Sequence, residues 1–303
     1  MKDFLVGGDQ RAFAEALASA LTKRAEGGAA DASAELWKDL ADLGLLGLST
    51  PAVGGTPLDV AVAMETLGAH LCPGPVLATI AAAELLAGEQ LEAVVSGLIR
   101  PTLTDGRHVP WGSSAGLLIE LDETSAWLAK ADGQPVSEPV ISGEAWGIAR
   151  IARGAALGDA SGATAMFNLG LASYLLGAAR RLIEQGAKHA ATREQFGKPI
   201  GAFQAVAHPL ASWHAETNAA WALAQLVAAE FAAGRSGSGP VTRSVKLREA
   251  ATRASLGAAY AVHQVMGAMG FSTESGVASA STRIRQWSLL PPLGAATLPQ
   301  AGR

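Results

Sequence analysis

The stretch Arg193-Glu194-Gln195-Phe196-Gly197-Lys198-Pro199-Ile200-Gly201-Ala202-Phe203-Gln204 decides how this chain is read. A long apolar-periodic segment runs into it, Gly197 and Pro199 interrupt that segment, and Phe203-Gln204 opens the next one. It is therefore a junction between two helices. An arginine offers a rigid fork of donors suited to phosphate, a glutamine amide adds a neutral donor, and an aromatic ring can cover a planar group. Spacing alone leaves two readings open, a helix-helix corner and a ligand-binding corner.

Working outward, apolar residues at three- and four-residue spacing predict long helices over about 163–192, 203–233 and 241–269. The turn between the last two is Gly234-Arg235-Ser236-Gly237-Ser238-Gly239-Pro240. Long antiparallel helices of this kind make a bundle. The first of them begins with an uncharged run from Ala160 to Ala179, long enough to cross a bilayer. Ser161, Gly162, Thr164, Asn168, Gly170, Ser173 and Gly177 dilute it, so a buried helix with close approaches at Gly170 and Gly177 is expected, and no membrane insertion.

Toward the N-terminus the sequence predicts short helices over 11–26, 33–46, 56–71, 78–86 and 89–98. Gly27-Gly28 stops the first and a polar cap near Ser33 starts the second. Thr56 caps the third, Pro57 suits its first turn, and Pro73 and Pro75 forbid its continuation. Between about 100 and 151 the helical period fades, and short apolar runs such as 116–119 and 126–128 lie among Gly, Pro, Asp and Ser. The chain thus divides into an N-terminal helical domain (1–99), a reduced β-rich middle segment (100–157) and a C-terminal helical bundle (158–303).

The 303 residues are 49% hydrophobic and carry a net charge of -4, which gives a sizeable core and no basic footprint for nucleic acid. The one cysteine, Cys72, reads as packing and fits a reducing cytoplasm. No secretory signal is read at Met1-Lys2-Asp3-Phe4. Dinucleotide-fold and triphosphate-loop glycine motifs and the His-Glu-x-x-His motif are missing. His70, His108, His189, His208, His214 and His263 have no metal-binding spacing, so no metal is expected. Gly112-Ser113-Ser114-Ala115-Gly116 matches a nucleophile elbow in letters only, because no suitable helix follows.

The junction resembles the Arg-x-Gln-Phe-Gly-x-Pro-Ile-x-x-Phe-Gln signature of the acyl-CoA dehydrogenase family at every defining position. About seventy residues on, Gln264-Val265-Met266-Gly267-Ala268-Met269-Gly270-Phe271-Ser272-Thr273-Glu274 resembles its Gln-x-x-Gly-Gly-x-Gly-Phe-x-x-Glu element, with Ala268 in place of a glycine. The resemblance implies a mainly α fold ending in a four-helix bundle, and FAD as cofactor. It assigns FAD contacts to Arg193, Gln195, Phe196, Gln264, Gly267 and Gly270. It also implies an acyl-CoA substrate and an electron-transfer flavoprotein or similar acceptor. The middle segment is shorter than the family's β-domain, as in subunits that assemble with a related, different chain.

In this family the flavin takes a hydride from the β-carbon while a glutamate removes the α-proton, which needs a desolvated carboxylate. The family places it after the second motif or near the start of the long helix. After Glu274 no Asp or Glu follows, and the neighbourhood reads Trp287-Ser288-Leu289-Leu290-Pro291-Pro292-Leu293-Gly294. Counting back from Arg193 reaches Phe167, with no acid between Asp159 and Glu184. The catalytic base is therefore unassigned. Three readings follow: a subunit whose related partner supplies the glutamate, a self-sufficient flavoenzyme of the same fold, partnered with itself as a homo-oligomer, with an unrecognised base or a different reaction, or a helical scaffold. The first is adopted.

Overall fold

The computed structural model describes residues 5–26, 34–122, 125–133, 136–138, 146–234, 238–272 and 274–290. The expected Gly27-Gly28 stop, the cap at Ser33, Thr273 and the 291–294 stretch lie outside them. Nine α-helices are described: α1 (Gly8–Glu26), α2 (Ala34–Asp42), α3 (Pro57–Ala69), α4 (Val76–Ala83), α5 (Gly88–Val95), α6 (Ser161–Thr192), α7 (Gln204–Ala232), α8 (Ser238–Met266) and α9 (Val277–Ser288). The fold is mainly α, as expected.

Local signals set several boundaries. At α3, Thr56 Oγ1 accepts from the Asp59 N–H at 3.3 Å and Asp59 Oδ2 accepts from the Thr56 N–H at 2.6 Å, with Pro57 in the first turn. This is the reciprocal capping box that orphan helix donors favour. The helix expected over 33–46 ends earlier, at Asp42, because Gly44 turns left-handed (φ 73°) and a 3₁₀ turn takes over at Leu45–Gly47.

The β-rich part runs from Pro101 to Asp159 as two small sheets. One has the order β1 (Pro101–Thr104), β3 (Leu117–Leu121), β4 (Ser125–Ala131), β7 (Ile151–Asp159), with β1 and β3 parallel and the rest antiparallel. The other is antiparallel: β2 (His108–Pro110), β6 (Trp146–Ile148), β5 (Val136–Glu138). The elbow-like stretch is a 3₁₀ turn at Gly112–Ser114 leading into β3, so it is a plain loop.

Helix α6 is the axis of the fold, and it is buried along most of its first twenty residues. Glycines let its neighbours approach closely. A methyl on Gly177 would fall on the carbonyl oxygen of Glu65, and one on Gly68 would fall on that of Tyr174. Helices α3 and α6 therefore cross backbone against backbone. Gly170, also expected as a close approach, faces Leu77 and Met64. Arg180 then ties the crossing outward: it pairs with Glu65 at 2.8 Å and lies 5.2 Å from the Trp221 ring of α7.

Helix α8 runs parallel to α6. Asn168 Nδ2 donates to Ser244 Oγ at 3.5 Å near their starts, and Gly186 faces Val262 near their ends, each pair 76 residues apart. The constant offset means the two helices keep one register throughout. Their C-termini, and hence the two motifs, emerge at the same end of the bundle. Helix α7 returns between them, and a side chain at Gly257 would enter the Trp213 ring.

Gly177→Ala is expected to lower unfolding free energy by at least about 2 kcal/mol in denaturant melts, because the methyl has only backbone to displace. An unchanged midpoint would mean the crossing is looser than described.

Candidate functional site

At the shared end, α6 stops at Thr192 and the chain forms a minimal hairpin, β8 (Glu194–Gln195) against β9 (Lys198–Pro199). Its two turn residues are Phe196 (φ 55°) and Gly197 (φ 77°). Two successive positive φ values make the primed turn that matches strand twist, in which Asn-Gly or Gly-Gly is the relaxed choice. Phenylalanine there is strained by about 1–2 kcal/mol. Its ring is nevertheless 91% exposed, touching Phe203 edge-on at 6.0 Å, while Lys198 Nζ lies 4.4 Å from the Phe203 centroid.

Arg193 and Gln195 are exposed on the same hairpin. The Gln195 amide donates to the Glu194 carbonyl at 2.7 Å, and the Arg193 guanidinium has no partner among the described residues. In the last turn of α8 Gln264 is exposed, and just after the helix Gly267 is left-handed (φ 56°) with open space where a Cβ would stand. Gly270 is buried, and a side chain there would press on His263 Nδ1 at 3.0 Å. Ala268 is exposed, and Met269 (53%) and Phe271 (72%) add apolar surface. All six sequence-predicted residues thus gather at one end of the bundle, five of them open to solvent.

Two neighbours escaped the sequence reading. His263 packs its ring on Phe271 at 4.6 Å and shares a hydrogen bond with Ser281 at 2.8 Å, while burial holds its pKa below the usual value. Its place directly before Gln264 was the available signal. Phe203 carries both Phe196 and Lys198, which its position in the motif did not reveal.

The interior between the β strands and the bundle is filled by aromatic rings. Trp146 meets Trp111 edge-on at 6.5 Å, Trp111 meets Trp287 at 5.8 Å, and Trp287 stacks on Tyr174 at 3.8 Å and 11°. The space left beside Phe167, Leu103 and Trp111 is only about 10 Å³, room for a single water. Two carboxylates are committed to ion pairs: buried Glu120 to Arg153 at 2.9 Å and half-buried Glu65 to Arg180 at 2.8 Å. Arg283 donates to the Leu71 carbonyl at 3.3 Å, while Glu274 is exposed. Glu184 is exposed on α6. Among the described residues no cluster could hold a metal, and no helix is long and apolar enough to cross a membrane.

Residues 159–289 match the acyl-CoA dehydrogenase C-terminal domain. The matched stretch runs from the end of β7 through α9. It is similar to acyl-CoA dehydrogenase IpdE2 of Mycolicibacterium smegmatis, 32% identical over 201 residues that cover 62% of this chain and 64% of that protein. The chain spans less than two thirds of the curated relatives it matches, 64%, 34% and 63% of their lengths. In fold it resembles the ChsE4-ChsE5 complex from Mycobacterium tuberculosis (TM-score 0.80, 20% identity, 94% of each chain). It also resembles butyryl-CoA dehydrogenase from Megasphaera elsdenii (TM-score 0.79, 17% identity, 97% of each chain). Within the stretch that matches this domain, the two motifs frame an open, aromatic-edged surface.

Phe196→Asn is expected to change stability by less than about 1 kcal/mol in thermal melts, since relief of the turn offsets the lost ring contact. A loss of 3 kcal/mol or more, the scale of about one buried aromatic truncated, would show that the ring packs inside the folded protein.

Proposed function

We propose that the chain is a subunit of an oxidoreductase that forms the α,β double bond of an acyl-CoA thioester, contributing half of a flavin site. A related chain completes the site and supplies the carboxylate base. The observation that carries this reading is the ring of Phe196, 91% exposed at a left-handed backbone position beside the unpartnered Arg193. A strained, solvent-facing aromatic next to a free cation is stable enough to persist only in a surrounding that fixes it, and it is well placed for a ligand or partner to cover.

The residues present fit FAD. Arg193 has its fork free for a diphosphate, Gln195 and Gln264 add amide donors, and Gly267 leaves its backbone open to close approach. When bound, FAD supplies the hydride acceptor, and an electron-transfer flavoprotein or similar acceptor takes the electrons onward. The chain's own residues hold and orient; they do not remove the proton. Phe167, where the family's long-helix glutamate would fall, is 4% exposed beside the filled aromatic interior. Glu120 and Glu65 are held in ion pairs, and Glu84 and Asp159 line a separate cavity at the start of α6, so a base from a second chain is the simplest way to complete the chemistry. The two-chain ChsE4-ChsE5 complex is a precedent for such an assembly in this fold.

Co-expression with a related acyl-CoA dehydrogenase chain is expected to yield a yellow complex that oxidises an acyl-CoA with an artificial acceptor, whereas the chain purified alone does neither. In the complex, Arg193→Ala should weaken FAD retention about tenfold or more, the loss of one charge-assisted contact, with an unchanged helical circular dichroism spectrum. Flavin and turnover in the chain alone would sink the partner reading; full retention in Arg193→Ala would sink the placement of the phosphates.

A further inference from the structure

At the opposite end of the bundle, where α6 begins, α4 and α7 end and α8 begins, lies a cavity of about 420 Å³. Glu84 Oε2 stands 3.9 Å from where a Cβ of Gly162 would be. At 1.5 Å per residue, Gly162 is about 45 Å along α6 from Arg193, so this cavity is separate from the flavin motifs. Its size falls in the range of small-molecule sites.

The lining has two characters. Ala165, Met166 and Val241 are buried and, with Phe231, give apolar walls. Glu84 and Asp159 give an acidic rim, and no lysine or arginine is among the described lining residues. The positive end of α6 is already answered: Asp159 Oδ1 accepts from the Ser161 N–H at 3.0 Å and from its hydroxyl at 2.7 Å, and Glu84 lies over Gly162. An anionic group entering here meets two carboxylates that no cation among the described lining residues offsets, which disfavours phosphates and free acids.

We propose that this cavity binds a neutral amphiphile, an apolar body ending in a hydroxyl that hydrogen-bonds to the carboxylates of the rim. The walls take the body out of water and the rim accepts the hydroxyl proton. A hydroxyl can pair with Glu84 in either protonation state, donating to the carboxylate or accepting from the acid; Glu84 keeps an open side to solvent while the surrounding protein pushes its carboxyl above the usual range. Asp159 stays below its usual range because the Ser161 hydroxyl and N–H hold it.

Isothermal titration of the full chain with decanol, decylamine and decanoate separates the possibilities, because the three share one apolar body and differ in the polar end. Decanol is expected to bind at least about tenfold tighter than decanoate. Gly162→Leu projects a side chain into the cavity from a position with only Glu84 Oε2 within 4 Å, so it should fold normally. It should also melt no lower than the parent, since glycine is a poor helix former. It should weaken decanol by about tenfold or more. Glu84→Gln should narrow the gap between decanol and decanoate, and Arg193→Ala should leave decanol binding unchanged. Absence of decanol binding, equal binding of decanoate, or undiminished binding to Gly162→Leu overturns the site. Tighter binding of decylamine than decanol overturns the hydroxyl in favour of a cation.

Discussion

The parallel packing of α6 on α8 is the constraint on which the remaining structure depends. One offset of 76 residues holds from Asn168–Ser244 to Gly186–Val262, and it brings two motifs far apart in sequence to one end of the bundle. The two helices approach closely where Gly186 meets Val262 and where Ala179 packs with Ala258. Arg248 of α8 is buried at 6% exposure, with Asn168 Oδ1 at 3.3 Å and the Leu290 carbonyl as acceptors, and burial lowers its pKa to about 10. A buried guanidinium with fixed acceptors tolerates no sliding, since displacement would strand its donors. The α3–α6 crossing at Gly68 and Gly177 then docks the N-terminal helices on the same axis.

The two ends of this axis differ in chemistry. One carries free donors, a strained phenylalanine and exposed apolar side chains; the other carries apolar walls under an acidic rim. Between them the chain has spent its interior on its own aromatic rings, from Trp146 to Tyr174. With Trp287 stacked on Tyr174 and the other indoles packed edge-on, the space left beside Trp111 is about 10 Å³, too little for a further planar group. Under the proposed function the chemistry belongs at the surface, where a related chain can reach it, and the unit of function is then larger than the unit of folding.

Local features were the most legible in the sequence. Thr56-Pro57 with Asp59 announced a helix start because a cap is made within four residues. The three long helices were visible because α6, α7 and α8 repeat apolar residues over many turns, and Gly170 and Gly177 stood out within an otherwise continuous apolar run. The hairpin at Glu194–Pro199 was not visible. Two-residue strands have no period, and Phe196 is an unlikely residue for the turn it makes. The aromatic fill was also hidden, since Trp111, Trp146, Tyr174 and Trp287 come from four separate elements.

By itself the sequence determined the helical class, the helix junction with its donor-rich motif, and the shortage of acids where a base would stand. Those properties are carried by residue identity and near-neighbour spacing, which survive without any knowledge of packing. Only the tertiary structure decided that Arg193 and Gln264 share one end, that Phe196 faces water, that Trp287 closes the interior, and that Glu84 meets the start of α6 across a cavity. Each of these depends on contacts between residues distant in the chain, and such contacts are fixed by the register of α6 against its neighbours and not by any one segment.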